Sequence, residues 1–211
     1  MATYLEQSLV MLKQFEGCVP WMYRDTVGKV TVGVGLMLPD VAAAQALPFL
    51  EAGRAASAAQ IHADFQRVML LPEGRTAAFY RASTSLELPQ PVIDAHLLAV
   101  LQGFEQRLRA RLQHYDSFPD GAKQALLDMV YNLGPGELFS GYPHLLAAVE
   151  QGAWAQAAAQ CLRHGPSEAR NAWTRNQFLA AVLPAIRAEA ESWFLRLWRR
   201  LRSVWPSAQA R

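Results

Sequence analysis

Leu5, Leu9, Leu12 and Phe15 recur at helical spacing near the start of the chain. Thr3 with Glu6 forms a capping-box pattern ahead of them, and Gly17 and Pro20 stop the helix just past Glu16. The period then changes to two. Val30, Val32, Val34 and Leu36 alternate with Lys29, Thr31, Gly33 and Gly35, which predicts one strand over 29–36 with one apolar face. Residues 21–24 supply a partner strand, and Asp25 to Gly28 has turn chemistry, so a β-hairpin is expected. Residues 39–89 are rich in Ala and read as short helices and loops, the best helix spanning 57–71. A long helix follows from Pro91, with Ile93, Leu97, Leu101, Phe104, Leu108 and Leu112 as its apolar stripe. Further helices are predicted over 122–133, 142–151, 154–162 and 168–183, with breaks at Gly134-Pro135-Gly136 and Gly165-Pro166. Helices dominate and the one small sheet is N-terminal: a mostly helical α+β fold.

Composition narrows the class. A chain of 211 residues, 52% hydrophobic and 18% charged, can bury a sizeable core and is not disordered. No apolar run is long enough to span a bilayer, and the first residues lack the marks of a secretory signal. The expectation is synthesis in the cytoplasm without a signal peptide. Cys18 and Cys161 make no disulfide framework. His62, His96, His114, His144 and His164 show no metal-ligand spacing, so neither metal nor cofactor is expected. Net charge is only +2, but six Arg and two Glu give residues 185–211 a charge of +4, leaving −2 for the rest. The basic end is a tail on a nearly neutral body, and nucleic acid is not an expected partner.

Candidate chemistry gathers at the junction of the first helix and the hairpin. Glu16 ends the helix, Asp25 opens the turn and Thr31 lies on the polar side of the second strand, with Gly33 and Gly35 expected to leave an open floor for a ligand. Two carboxylates in different surroundings suit acid–base cleavage of a glycosidic bond. A helix C-terminus and partial burial favour a protonated Glu16 that can donate to a leaving oxygen. Asp25, in a polar turn, would stay ionised, and the Thr31 hydroxyl could hold a water beside it. Each residue alone has an ordinary reading, as helix stop, turn former or strand polar face.

Together, Glu16-Gly17, Tyr23, Asp25, Gly28, Thr31, Gly33 and Gly35 resemble the signature of phage-type lysozymes, glycoside hydrolase family 24. The family's spacing of Glu, eight residues, Asp, five residues, Thr is met without a gap. Residues 126–134 are similar to the family's core helix, 142–162 to the helices that follow it, and Arg170-Asn171-Ala172-Trp173 to a later helix start. The resemblance covers roughly 3–38 and 88–185. It implies a two-lobed fold with a small hairpin lobe, a long connecting helix and a helical lobe. It implies a muramidase cutting the β-1,4 bond between N-acetylmuramic acid and N-acetylglucosamine. Glu16 would be the general acid; Asp25 and Thr31 would position and activate water, or stabilise the developing oxocarbenium charge. Met37 and Tyr131 match substrate-lining positions, and Asn132 sits beside the latter. The chain departs from the small phage enzymes in a longer 38–87 segment, expected to form a rim of the substrate cleft, and in Leu36, where a familiar member has His.

On these grounds residues 1–185 form the catalytic domain and 186–211 a basic amphipathic helix and tail. In 192–205, Trp193, Leu197, Leu201 and Val204 fall on one helical face, joined by Phe194, Trp198 and Trp205, with Arg196, Arg199, Arg200 and Arg202 largely elsewhere. That pattern suits contact with an anionic membrane or lipopolysaccharide. The expected partner is the peptidoglycan glycan strand in the cell wall, reached as a phage endolysin or as an antibacterial effector; an effector would also have an immunity protein. The alternative is a catalytically weak wall-binding or membrane-active protein. A lytic transglycosylase is less favoured, since such enzymes rely on a single Glu.

Overall fold

A computed structural model describes residues 2–183 and 191–196. The chain divides into two compact units, Met1–Gly103 and Phe104–Arg211. The proposed basic helix over 192–205 lies mostly outside the described residues. Its described part is helical, with Trp193, Phe194 and Leu195 all exposed.

The first unit opens with α1 (Tyr4–Glu16). Its capping box forms: the Thr3 hydroxyl accepts from the Glu6 N–H, and the Thr3 N–H donates to the Glu6 carboxylate at 2.7 Å. Two of the four orphan donors near the helix start are thus satisfied locally. Gly17 ends the helix at φ 80, a conformation that favours glycine. Three antiparallel strands follow, β1 (Val19–Arg24), β2 (Val30–Gly33) and β3 (Leu36–Leu38), in that spatial order. The single strand expected over 29–36 is therefore two strands joined by a turn. Gly33 (φ 67) and Gly35 (φ 72) reverse the chain, and the alternation of apolar residues runs on through the turn and hides it.

Every residue of β2 is buried, Thr31 and Gly33 included. The floor beneath Gly33 is not open: a Cβ there would meet Cγ2 of Ile93 at 3.1 Å. Glycine lets helix α5 (Gln90–Arg111) press its Ile93 side chain onto the strand. Lys13 on α1 ties to Asp94 of the same helix at 2.7 Å.

The 38–87 segment is more built than expected. It holds α2 (Val41–Gln45), α3 (Ala58–Leu70) and α4 (Ala77–Arg81), and a second sheet of β4 (Leu50–Glu51), β5 (Arg54–Ala55) and β6 (Leu86–Glu87), ordered β5-β4-β6. Strands of two residues carry no readable period. Their hairpin turns on Ala52 (φ 47) and Gly53 (φ 78), where both central residues need positive φ. The fully buried Asp64 of α3 fastens the unit. It accepts the N–H groups of Ser85 and Leu86 at 3.2 and 3.1 Å and pairs with Arg67. Ile61, Phe65, Val68, Tyr80 and Leu86 are buried in this segment.

The second unit is helical: α6 (Asp120–Gly141), α7 (Pro143–Glu150), α8 (Trp154–Gln160) and α9 (Glu168–Ala180). The Gly134 break is present, since that residue leaves helical geometry at φ 77, ψ 158 and kinks α6. Leu126, Leu127, Met129, Val130, Leu145, Val149 and Phe178 are buried core residues of this unit. Among them lies a charged knot. Asp128 receives Arg163 Nη2 at 2.6 Å, Arg170 Nε at 2.8 Å and the Thr174 hydroxyl at 2.6 Å. All four residues are buried.

Candidate active site

The first unit gathers four of the expected site residues on α1 and the first sheet. Tyr23 pairs with Thr31 across β1 and β2, and Thr31 pairs with Met37 across β2 and β3. Opposed residues in antiparallel strands share a face, so Tyr23, Thr31 and Met37 form a row across the sheet. Thr31 is buried at the centre of the row, and Met37 is half exposed at its end.

Asp25 caps the turn between β1 and β2. Its Oδ1 accepts the N–H of Val27 at 3.0 Å and of Lys29 at 2.8 Å. This Asx-turn is why Asp suits the position: the carboxylate satisfies backbone donors that the reversal strands. The second oxygen, Oδ2, faces Thr31, whose hydroxyl lies 3.4 Å from it and 3.4 Å from the Lys29 carbonyl. One carboxylate oxygen is thus committed to structure, and the other stands beside a hydroxyl.

Glu16 is exposed at the C-terminal end of α1, so the partial burial expected for it is not found. The Tyr23 hydroxyl senses both carboxylates. Burial pushes its pKa up, and the negative charges of Asp25 and then Glu16 push it further. Tyr23 was legible only as a member of the motif. In the structure it feels the charge of both carboxylates.

Tyr131 and Asn132 belong to the second unit. Tyr131 is half buried, edge-on to Phe104 at 6.1 Å between ring centres. Asn132 is exposed, with its Oδ1 3.5 Å from Arg163 Nη1. Arg163 went unnoticed in the sequence, because 35 residues separate it from Asp128 and no local pattern links them.

The family model for phage lysozyme matches residues 13–173, which takes in the helix end, the hairpin, the 38–87 segment and α6 to α8. The chain belongs to the phage lysozyme family. No curated protein sequence matches it. Membership makes it a lysozyme-type peptidoglycan hydrolase with a mostly helical α+β lysozyme-like fold. The matched region begins three residues before Glu16 and stops at Trp173, ahead of the basic end of the chain.

Proposed function

We propose that this lysozyme is an N-acetylmuramidase of the glycoside hydrolase family 24 type. It cleaves the β-1,4 bond from N-acetylmuramic acid to N-acetylglucosamine. Glu16 gives its proton to the glycosidic oxygen as the bond to the anomeric carbon breaks. A water held between Asp25 Oδ2 and the Thr31 hydroxyl attacks that carbon and passes its proton to Asp25. Met37, Tyr131 and Asn132 contact the glycan. The observation that carries this reading is the division of labour at Asp25: Oδ1 is saturated by two backbone N–H groups, and Oδ2 is turned to a hydroxyl. A carboxylate pinned in that way has a fixed direction for receiving a proton. The test is digestion of purified peptidoglycan with mass spectrometry of the fragments. Reducing muramic ends are expected. Anhydro ends would assign the chain to transglycosylation, and reducing glucosamine ends would assign the other glycosidic bond.

A second role is favoured by one further observation. Trp193, Phe194 and Leu195 are 62%, 59% and 59% exposed beside Arg196. Together with the Arg- and Trp-rich sequence up to Trp205, they suit adhesion to an anionic membrane or lipopolysaccharide. Removing 186–211 should reduce lysis of whole cells and spare digestion of purified wall. Equal loss in both assays would count against a surface-adhesion role.

A further inference from the structure

The turn that carries Asp25 is gripped from outside by the 38–87 segment, and we infer that this grip positions the Asp25 carboxylate, with Arg24 as its central residue. The inference rests on the reading of Asp25 as the residue that activates water.

Arg24 is the last residue of β1, and only 19% of its side chain is exposed. Its guanidinium spans two pieces of chain. Nε donates to the Gly28 carbonyl at 3.2 Å, at the far end of the Asp25 turn. Nη1 donates to the Leu71 carbonyl at 2.7 Å, just past α3, and Nη2 lies 3.3 Å from Glu73 Oε2. The loop answers with its own backbone. The Gly74 N–H donates to the Asp25 carbonyl at 3.2 Å, alongside the Gly28 N–H at the same distance. The Asp25 main chain is therefore held by the hairpin on one side and by the inserted segment on the other.

The loop is itself anchored. The fully buried Tyr80 donates its hydroxyl to the Pro72 carbonyl at 2.6 Å, and its ring packs 6.5 Å from that of Tyr23. Trp21 Nε1 donates to the Ala77 carbonyl at 2.9 Å, which fixes α4 to β1. Behind these contacts, Asp64 ties α3 to the β6 region. A short turn bearing a reacting group has little rigidity of its own. Here a planar fork with several donors locks it to a folded scaffold, which an ammonium cannot do in the same way. The inserted segment is thus a brace for the reacting turn as well as an extension of the surface.

The test separates kcat from KM on soluble, uncrosslinked peptidoglycan strands. Arg24→Ala is expected to lower kcat by about 10- to 100-fold, the scale of a misplacement near 1 Å, with KM within about two-fold. Arg24→Lys should not restore kcat, because one ammonium cannot serve Gly28, Leu71 and Glu73 together. Tyr80→Phe keeps the packing and removes the bond to Pro72, and should lower kcat several-fold. Gln45→Ala, which removes an exposed bond to the Ala58 carbonyl at the end of α2, should leave kcat unchanged. Asp25→Asn is measured alongside. If it is inactive while a folded Arg24→Ala keeps full kcat, the brace is overturned and the reading of Asp25 stands. If Asp25→Asn is fully active, that reading itself falls, and the brace with it. Should Arg24→Ala fail to fold, Tyr80→Phe decides, and an unchanged kcat there overturns the proposal.

Discussion

Asp25 and Asp128 are both aspartates that accept three or more hydrogen bonds, and they sit in opposite kinds of place. Asp25 is half buried in a turn of the first unit, with backbone N–H groups on one oxygen and a hydroxyl near the other. Asp128 is 2% exposed on α6 of the second unit, and two arginines and a threonine consume both its oxygens. The first is partly exposed, and its second oxygen has only a hydroxyl beside it at 3.4 Å. Asp128 has no oxygen to spare and holds α6, α9 and the segment bearing Arg163 in register. On the proposed reading of Asp25, burial and partner charge, rather than residue type, separate a reacting carboxylate from a structural one.

Substitutions should pull the two apart, and the largest effect is expected at the Asp25 turn. Asp25→Asn should cut turnover by about 10²- to 10⁴-fold, the usual weight of a positioned acid or base, and leave the melting temperature nearly unchanged. Asp128→Ala should do the reverse. It strands two buried guanidinium groups, at a cost of about 3–5 kcal/mol. Calorimetry should show the melting temperature falling by roughly 10 °C or more, while turnover per folded molecule in the cold stays within a few-fold. Thr31→Val keeps the shape and removes the hydroxyl, so activity should fall by about ten-fold, as for loss of one aligned hydrogen bond in the transition state. If Thr31→Val is silent, Asp25 directs the water alone.

The smallest effect concerns two tyrosines, the buried Tyr115 and the half-buried Tyr23. Burial raises the pKa of Tyr115 first, and the nearby Glu105 charge adds to it; Tyr23 is raised in the same direction. In the unfolded chain both titrate near 10.0. Above that pH the unfolded state loses protons that the folded state keeps. The stability contribution is therefore complete below pH 10.0 and declines as pH rises toward the folded values. Tyr115→Phe should flatten the alkaline limb of a denaturation series. At neutral pH it should be neutral or slightly stabilising, because the Tyr115 hydroxyl is buried without a hydrogen-bond partner among the described residues.

Local signals were the readable ones. The Thr3–Glu6 box, the Gly17 stop, the Asp25 turn and the Gly134 break all act over a few residues, and each forms where the pattern places it. The motif of Glu16, Asp25 and Thr31 was legible for the same reason, since helix end, turn and strand follow each other directly. The turn at Gly33 and Gly35 is masked because the apolar alternation of Val30, Val32, Val34 and Leu36 runs straight through it. The contact of Ile93 on Gly33 joins residues 60 positions apart, and the grip of Arg24 on Leu71 joins residues 47 apart. No periodicity reports such pairs. The second sheet failed for another reason: its strands are two residues long, and its turn uses Ala52 in place of the usual Asn or Asp.

The central claim is that the helix-end acid and the turn carboxylate of the first unit carry the reaction. Its most direct test is digestion of purified peptidoglycan by the native chain, Glu16→Gln and Asp25→Asn, scored by new reducing ends at matched folded concentration. The account predicts abundant reducing muramic ends from the native chain and almost none from either variant, with all three melting alike. Native-like release of reducing ends by Glu16→Gln would contradict it.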